Sequence, residues 1–299
     1  MRQPKRQKPA RPMTRAGLAL AVLASTAAAI AACTTSPTGR NQMILRSDEQ
    51  LATEAAQQFA EMRASIPLET DRYTIDYIHC VATAVVEALD PQYRDLDWDM
   101  AVFDHDAINA FAMPGGKIGV MTGILRAADN QDRLAAVLGH EIAHVTARHS
   151  NERASRSPVA GVGIKVAAVL LGAGHSGATY TAYEALNQGA ALGIMLPFNR
   201  AQESEADIIG LEFMARAGFD PRQSVPLWQN MSKEGGGNEP AQFLSTHPSS
   251  DKRIDALVGQ FGSTLVLYNE AKADGRQPDC GPPPPPKAAK PDQGGAKEE

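Results

Sequence analysis

The stretch LAAVLGHEIAHVTARH, residues 134–149, decides how the chain folds and what it can bind. Its apolar residues recur at helical spacing and predict an α-helix. His140 and His144 are four residues apart, so they lie on one face of that helix, one turn from each other. Two imidazoles placed in this way can bind one Zn²⁺. Glu141, the next residue round the helix, can then act as a general base toward a water molecule.

The motif HExxH is short, so a zinc site also needs a third ligand. In the spacing HExxHxxGxxH, Gly and His stand where this chain has Ala147 and Ser150, which excludes that class of site. His149 does not replace the missing ligand, because five residues after His144 it points to another helix face. We interpret His149 as a surface or capping histidine near the helix end.

The run ESEAD, residues 203–207, offers the alternative ligand. Glu203 and Asp207 lie one turn apart on one face of a predicted amphipathic helix, residues 201–216. Glu203 can bind the metal while Asp207 accepts the outer N–H of a ligand histidine and fixes its tautomer. The competing interpretation is a solvated acidic face, but the HExxH motif upstream favours ligation. Glu205 lies on another face and is not expected to be a ligand.

The first 32 residues are predicted to be an export signal and not part of the folded domain. They hold six of the 29 basic residues and no acidic residue, and end in an apolar run that is short for a membrane span. The run closes with IAAC at Cys33, which resembles the lipobox of bacterial lipoproteins and implies cleavage before Cys33 and its lipidation. Cleavage without lipid and an uncleaved anchor are the alternatives.

Thr34 follows the lipobox cysteine where an acidic residue would favour the inner membrane. By analogy with enterobacterial sorting, this indicates the outer membrane, facing the periplasm, with inner-membrane anchoring as the other option. The expected organisation is a signal peptide (1–32), a tether (33–46), one folded domain (47–272) and a disordered proline-rich tail (273–299).

Charge and cysteine content restrict the partners and the compartment. Without residues 1–32 the chain has 23 basic and 34 acidic residues, a net charge of −11, which does not suit nucleic acid. With Cys33 assigned to lipid, Cys80 and Cys280 remain. In an exported protein these two can form a disulfide, and two separate thiols are the alternative.

Local patterns outline an α+β domain that is predominantly helical. Ser47 caps a first helix, and a second runs over about residues 71–89. Three extended runs follow at 98–103, 108–113 and 117–121, and the last two form a hairpin around Pro114-Gly115-Gly116. Residues 150–196, rich in Ala and Gly, are expected to form a helical hairpin over the site, with a peripheral membrane contact as the weaker alternative. Further helices are expected after Asp220-Pro221 and near Ser249.

Four motifs together resemble one known family. They are HEIAH (140–144), NRAQESEAD (199–207), NAFAMPGG (109–116) and THPSSDKR (246–253). They resemble the gluzincin metallopeptidases of the CAAX prenyl protease type 1 and HtpX family, over residues 48–261. The lipobox makes the lipoprotein members BepA and LoiP the nearest resemblance. The family resemblance implies a zincin-type domain with a small sheet of about three strands and the HExxH motif on a central helix.

The resemblance also implies roles for residues beyond the metal ligands. It implies an edge strand beside the zinc that binds an extended substrate, formed by Asn109, Ala110, Phe111, Ala112 and Met113. His247 and Arg253 would face the zinc and donate hydrogen bonds to the oxyanion of the reaction. His247 can instead become a fourth ligand that holds the enzyme inactive. Without the resemblance, these two residues indicate a capping His-Pro turn and a surface arginine.

The expected function is a zinc endopeptidase with one Zn²⁺ per chain, tethered by lipid in the bacterial periplasm. The resemblance implies that it degrades unfolded or misassembled envelope proteins, and it leaves contact with the outer-membrane assembly machinery open. A different class of function is a chaperone-like assembly factor whose zinc is structural or whose site is latent. A structural lipoprotein without metal is the third hypothesis.

Overall fold

The computed structural model describes residues 33–156, 199–234, 242–247 and 251–286. The described part begins with two short antiparallel strands, β1 (Cys33–Thr35) and β2 (Asn41–Met43), then helices α1 (Asp48–Ser65), α2 (Arg72–Glu87) and α3 (Pro91–Arg94). Ser47 caps α1 by accepting a hydrogen bond from the Gln50 backbone N–H, as the sequence predicts.

The sheet and the helix that carries HExxH come next. Strands β3 (Asp99–Phe103), β4 (Ala110–Met113) and β5 (Lys117–Met121) are followed by a 3₁₀ turn (Thr122–Arg126) and by α4 (Gln131–Thr146) and α5 (His149–Arg156). After residues 157–198 come α6 (Arg200–Arg216), a 3₁₀ turn (Pro221–Gln223), α7 (Ser224–Glu234), α8 (Gln242–Thr246) and α9 (Asp251–Ala273). The prediction of a mostly helical domain with a small sheet is confirmed.

The three-stranded sheet has the order β3-β5-β4, with β3 parallel and β4 antiparallel to β5. The hairpin between β4 and β5 is therefore confirmed. Its turn contains Gly115 and Gly116 at φ +79° and +83°, a backbone region that glycine enters without steric cost. Because β4 pairs on one side only among the described strands, it forms an edge of the sheet.

The centre of the domain is α4, which packs against α6, β4 and α2. Asn130 caps α4 by accepting a hydrogen bond from the Arg133 backbone N–H, and almost the whole helix is buried. A buried helix of this kind brings its polar residues into the core, where each one needs a partner. None of the described helices is long and apolar enough to cross a membrane.

The structure corrects the expected tether. Residues 33–46 contain the β1–β2 pair and lie against the domain, where Gln42 Nε2 donates a 2.6 Å hydrogen bond to the Ala147 carbonyl. Arg40 forms ion pairs with Glu152 and Glu205. The segment is polar because it satisfies buried polar groups of the domain, and the composition alone had indicated a free linker.

The start of the expected tail is also attached. The structure joins Cys80 of α2 to Cys280 in a disulfide, with Cα atoms 5.7 Å apart. Gln131 Nε2 donates a hydrogen bond to the Pro278 carbonyl, and the Cys280 N–H donates one to Gln131 Oε1. Residues 274–286 therefore lie on the domain, whereas residues 287–299 are outside the described residues. Residues 1–32 are also outside the described residues, as is most of the expected helical hairpin at 150–196. The first residues of that hairpin region are helical, because they belong to α5.

Candidate metal centre

Three predicted ligands converge in the core. His140 and His144, on α4, bring their Nε2 atoms to 3.1 Å from each other. Glu203, in the first turn of α6, has its carboxylate oxygens 3.5 Å from His144 Nε2 and 3.6 Å from His140 Nε2. All three side chains are buried, so the structure brings the predicted set together within one small volume.

The donor atoms fit a zinc ion. His140 turns its outer nitrogen, Nδ1, to Asp207 Oδ1 at 3.1 Å, so a proton on Nδ1 leaves the inner Nε2 lone pair free. His144 likewise directs Nδ1 away from the centre and Nε2 toward it. Two inward imidazole nitrogens and one carboxylate are a common ligand set of a catalytic zinc site, with a position left for reactants.

Asp207 and Glu203 are held by Arg253 from α9. Arg253 donates to both Asp207 oxygens at 2.7 Å and places Nη1 2.8 Å from Glu203 Oε2. Its guanidinium also lies 4.2 Å above the ring of Trp228. In this structure Arg253 positions the ligand Glu203 and its neighbour Asp207, and its expected oxyanion role stays a prediction.

Glu141 is placed as a base beside the metal ligands. It is 2% exposed, its Oε2 accepts a 3.3 Å hydrogen bond from the Ala112 backbone N–H, and its Oε1 lies 3.2 Å from His247 Nε2. Burial raises the pKa of Glu141 above the ordinary value of a glutamate, although nearby histidines oppose the shift. A carboxylate with a raised pKa is suited to take up a proton and to return it.

His247 lies at the same centre. Its Nδ1 is 3.0 Å from Glu203 Oε1 and 3.2 Å from His140 Nε2, and the side chain is buried. One ligand atom from each of His140, His144, Glu203 and His247 lies within 4.8 Å of all the others. This geometry suits either role expected for His247, as donor to the reacting group or as fourth ligand, and both stay predictions.

The expectation for His149 was wrong. It is fully buried, and its Nδ1 lies 2.8 Å from Nδ1 of His144 while its Nε2 lies 3.1 Å from Glu205 Oε2. Burial lowers the pKa of His149 and so favours a neutral ring, although Glu205 has the opposite effect. Helix α4 ends at Thr146, and Arg148 has a φ of +56°, so His149 begins a new helix and its ring contacts that of His144. Spacing along a single helix could not show this.

The predicted edge strand lies against the centre. Ala110 to Met113 form β4, while Asn109 precedes the strand and is buried. Ala112 donates its N–H to Glu141, so the edge that does not pair with β5 faces the base. A cavity of about 400 Å³ lies between His144 and the turn that follows β4. Its lining includes Leu51, Tyr93, Leu96, Pro114, Gly115 and His144.

Comparison with known proteins gives one family and two kinds of relative. Residues 74–260 match the profile of peptidase family M48. The chain is 42% identical over 161 residues to the mitochondrial metalloendopeptidase OMA1 of Schizosaccharomyces pombe (54% of this chain, 45% of the relative). It is 36% identical over 184 residues to OMA1 of Saccharomyces cerevisiae (59% and 50%). With the β-barrel assembly-enhancing protease of Escherichia coli K12 it shares 30% over 200 residues (65% and 40%).

The alignments cover only part of each relative. The chain spans half or less of the length of each of these relatives. The OMA1 proteins and the β-barrel assembly-enhancing proteases match it comparably, so the expected nearest resemblance to the BepA-like lipoproteins is not singled out.

Proposed function

The chain belongs to peptidase family M48, whose members are zinc-dependent, and from that premise we propose that it is a zinc endopeptidase that cleaves extended segments of unfolded or misassembled envelope proteins. The observation that carries the proposal is the convergence of His140, His144 and Glu203 beside a buried Glu141 and an edge strand. A site that only binds a metal would not need a buried carboxylate that is held beside the ligands without being one of them.

The chain's own residues account for binding and proton transfer. Zinc held by His140, His144 and Glu203 would polarise the scissile carbonyl and acidify a water molecule. Glu141 takes the proton of the attacking water and passes it to the leaving amine. Its hydrogen bond from the Ala112 N–H fixes the carboxylate next to the strand that holds the substrate.

The edge of β4 explains a preference for extended chains. In an antiparallel pair the backbone N–H groups point alternately to the partner and away from it, and the Ala112 N–H points away from β5. Ala110 is two residues away and faces the same side. An unfolded peptide can therefore add to β4 as a further strand through backbone hydrogen bonds, which select for extended conformation more than for sequence.

Removal of the metal tests this proposal. Treatment with a chelator is expected to abolish cleavage of casein, an unfolded protein, and one equivalent of Zn²⁺ should restore it, because the side chains described around the site offer no electrophile in place of zinc. Cleavage and bound zinc are measured together on the full chain. Cleavage that persists after zinc has been removed would exclude the mechanism.

Lipid anchoring in the envelope is the second part of the proposal. Its support is the basic segment, the apolar run and IAAC at Cys33, together with a relative whose name assigns it to β-barrel assembly. A membrane-extracted chain is expected to begin at Cys33 and to carry acyl groups, which mass spectrometry of its first peptide detects. Cys33→Ala should remove the acyl groups and Cys280→Ser should retain them. An unacylated wild-type terminus contradicts the anchor.

A second candidate function has one observation in its favour. His247 lies among the ligands, so a chain whose fourth position it fills would bind zinc without cleaving and would serve as a chaperone-like assembly factor. His247→Ala distinguishes the two. If zinc-loaded wild type is inactive and the variant cleaves casein, the wild-type site is latent. If the wild type cleaves and the variant is slower, His247 assists the reaction.

A further inference from the structure

The second metal-ligand histidine is connected to the N-terminal segment by a chain of polar contacts, here called the His144 relay: His144, His149, Glu205 and Arg40. Its contacts are His144 Nδ1 to His149 Nδ1 at 2.8 Å, His149 Nε2 to Glu205 Oε2 at 3.1 Å, and Arg40 Nε to Glu205 Oε2 at 2.8 Å. His144, His149 and Glu205 are buried, and the side chain of Arg40 is 22% exposed.

The charges at the outer end decide the direction of the hydrogen bonds. Glu205 accepts hydrogen bonds from Arg40 Nε and from the Thr38 hydroxyl at 2.6 Å, as an ionised carboxylate does. It therefore accepts a hydrogen bond from the N–H at His149 Nε2 as well. A neutral imidazole with its proton on Nε2 has a lone pair on Nδ1, so His149 accepts a hydrogen bond from His144 Nδ1.

That direction prepares His144 for zinc. With its proton on Nδ1, the lone pair of His144 is on Nε2, the atom that faces His140 and Glu203. The opposite tautomer would present an N–H to the metal position and leave two lone pairs facing each other between His144 and His149. The relay thus fixes the tautomer of His144, as Asp207 fixes that of His140.

Arg40 is itself firmly placed. Its Nη1 and Nη2 donate to the two oxygens of Glu152 at 2.7 and 2.6 Å, and Glu152 also accepts from Gln202 Nε2 at 2.9 Å. One guanidinium therefore bridges α5, which carries Glu152 and His149, to α6, which carries Glu205 and Glu203. A bridge of this kind holds the helix that supplies the third ligand against the helix that orients the second.

We propose that His149, Glu205 and Arg40 are positioning residues that set the tautomer and orientation of His144, so that the N-terminal segment 36–43 is a working part of the metal centre. The inference rests on the proposed zinc site. Residues of this outer layer are expected to act on zinc affinity first, because they touch no reacting atom.

The test is zinc affinity, measured by chelator competition on the full chain. His149→Phe keeps a ring but has neither donor nor acceptor, and is expected to weaken zinc binding by about 10–100-fold. His149→Gln keeps one donor and one acceptor and should lose less. Arg40→Ala should lower affinity in the same direction by a smaller factor. Arg126→Ala is the matched control, because its side chain is also 22% exposed and pairs with Glu234, away from the site.

A second measurement separates positioning from mere stability. The unfolding temperature of each variant is compared with and without zinc, since weaker binding reduces the zinc-dependent gain. A variant that unfolds earlier by the same amount in both states, with unchanged zinc affinity, overturns the inference. The inference is also overturned if His149→Phe and Arg40→Ala both bind zinc with wild-type affinity. If His149→Phe does not fold, the zinc affinity of Arg40→Ala alone is the test. A wild-type chain that binds no zinc refutes the proposed function instead.

Discussion

Replacing Glu141 by glutamine is expected to lower the turnover of casein by about 10²–10⁴-fold while zinc stays bound at one per chain. Glutamine has nearly the volume of glutamate and its carbonyl can still accept the Ala112 N–H, so the fold and the edge strand are retained. It cannot take up a proton at neutral pH. Because Glu141 is not among the metal ligands, the loss should fall on kcat and leave zinc affinity near that of the wild type.

The controls for Glu141→Gln exclude indirect effects. Glu87→Gln makes the same chemical change at the last residue of α2, away from the site, and should have wild-type turnover. Zinc content by elemental analysis and the unfolding temperature show whether the inactive variant is intact. A turnover within a few-fold of wild type would mean that another group moves the proton, and the mechanism would have to be abandoned.

The same inactive variant identifies substrates. A chain that binds peptides along β4 but cannot cleave them should retain its substrates long enough to be isolated with them. We expect the captured proteins to be envelope proteins in unfolded or misassembled states. Capture mainly of folded cytoplasmic proteins would refute the proposed substrate class without affecting the zinc mechanism, because the two rest on different observations.

The parts of the centre that sequence could predict are those set by the periodicity of one helix. His140 and His144 share a face of α4, and Glu203 and Asp207 share a face of α6, so spacing alone placed each pair. The distance between the two pairs depends on how α4 and α6 cross, and no local pattern encodes that. That the pairs meet was inferred from the need of HExxH for a third ligand, and the family resemblance added to that inference.

The parts that sequence missed depend on contacts between distant residues. His149 was assigned to the surface or to a cap because an uninterrupted helix was assumed, and the helix break at Arg148 places it in the core. Its partner Glu205 is 56 residues away, and Arg40 is 165 residues from Glu205. Polar composition indicated a free tether around Arg40, because composition does not distinguish a solvated side chain from one that pairs inside the domain.

The second large effect is expected for Gly210→Ala, at a position where the backbones of α4 and α6 lie close together. A Cβ atom at Gly210 would lie 2.7 Å from the His140 backbone nitrogen and 2.8 Å from the Gly139 carbonyl carbon, distances that backbone atoms do not tolerate. The helices must move apart, at a cost of about 1–3 kcal/mol in the free energy of unfolding. The displaced α6 also carries Glu203 away from the histidines, so turnover should fall by about 10²-fold for a shift of about 1 Å.

Gly259→Ala is the matched control, because Gly259 is also inside a helix but its Cβ would meet nothing within 4 Å. There the substitution should stabilise the chain by about 0.4–1 kcal/mol, since alanine loses less conformational entropy on folding. Opposite signs for the same change, measured by urea unfolding of the zinc-loaded chain, would show that contact between backbones at Gly210 holds the ligands together. Equal stabilisation by both substitutions would show that α4 and α6 are not packed this closely. The short distance between the HExxH histidines and Glu203 would then need another explanation.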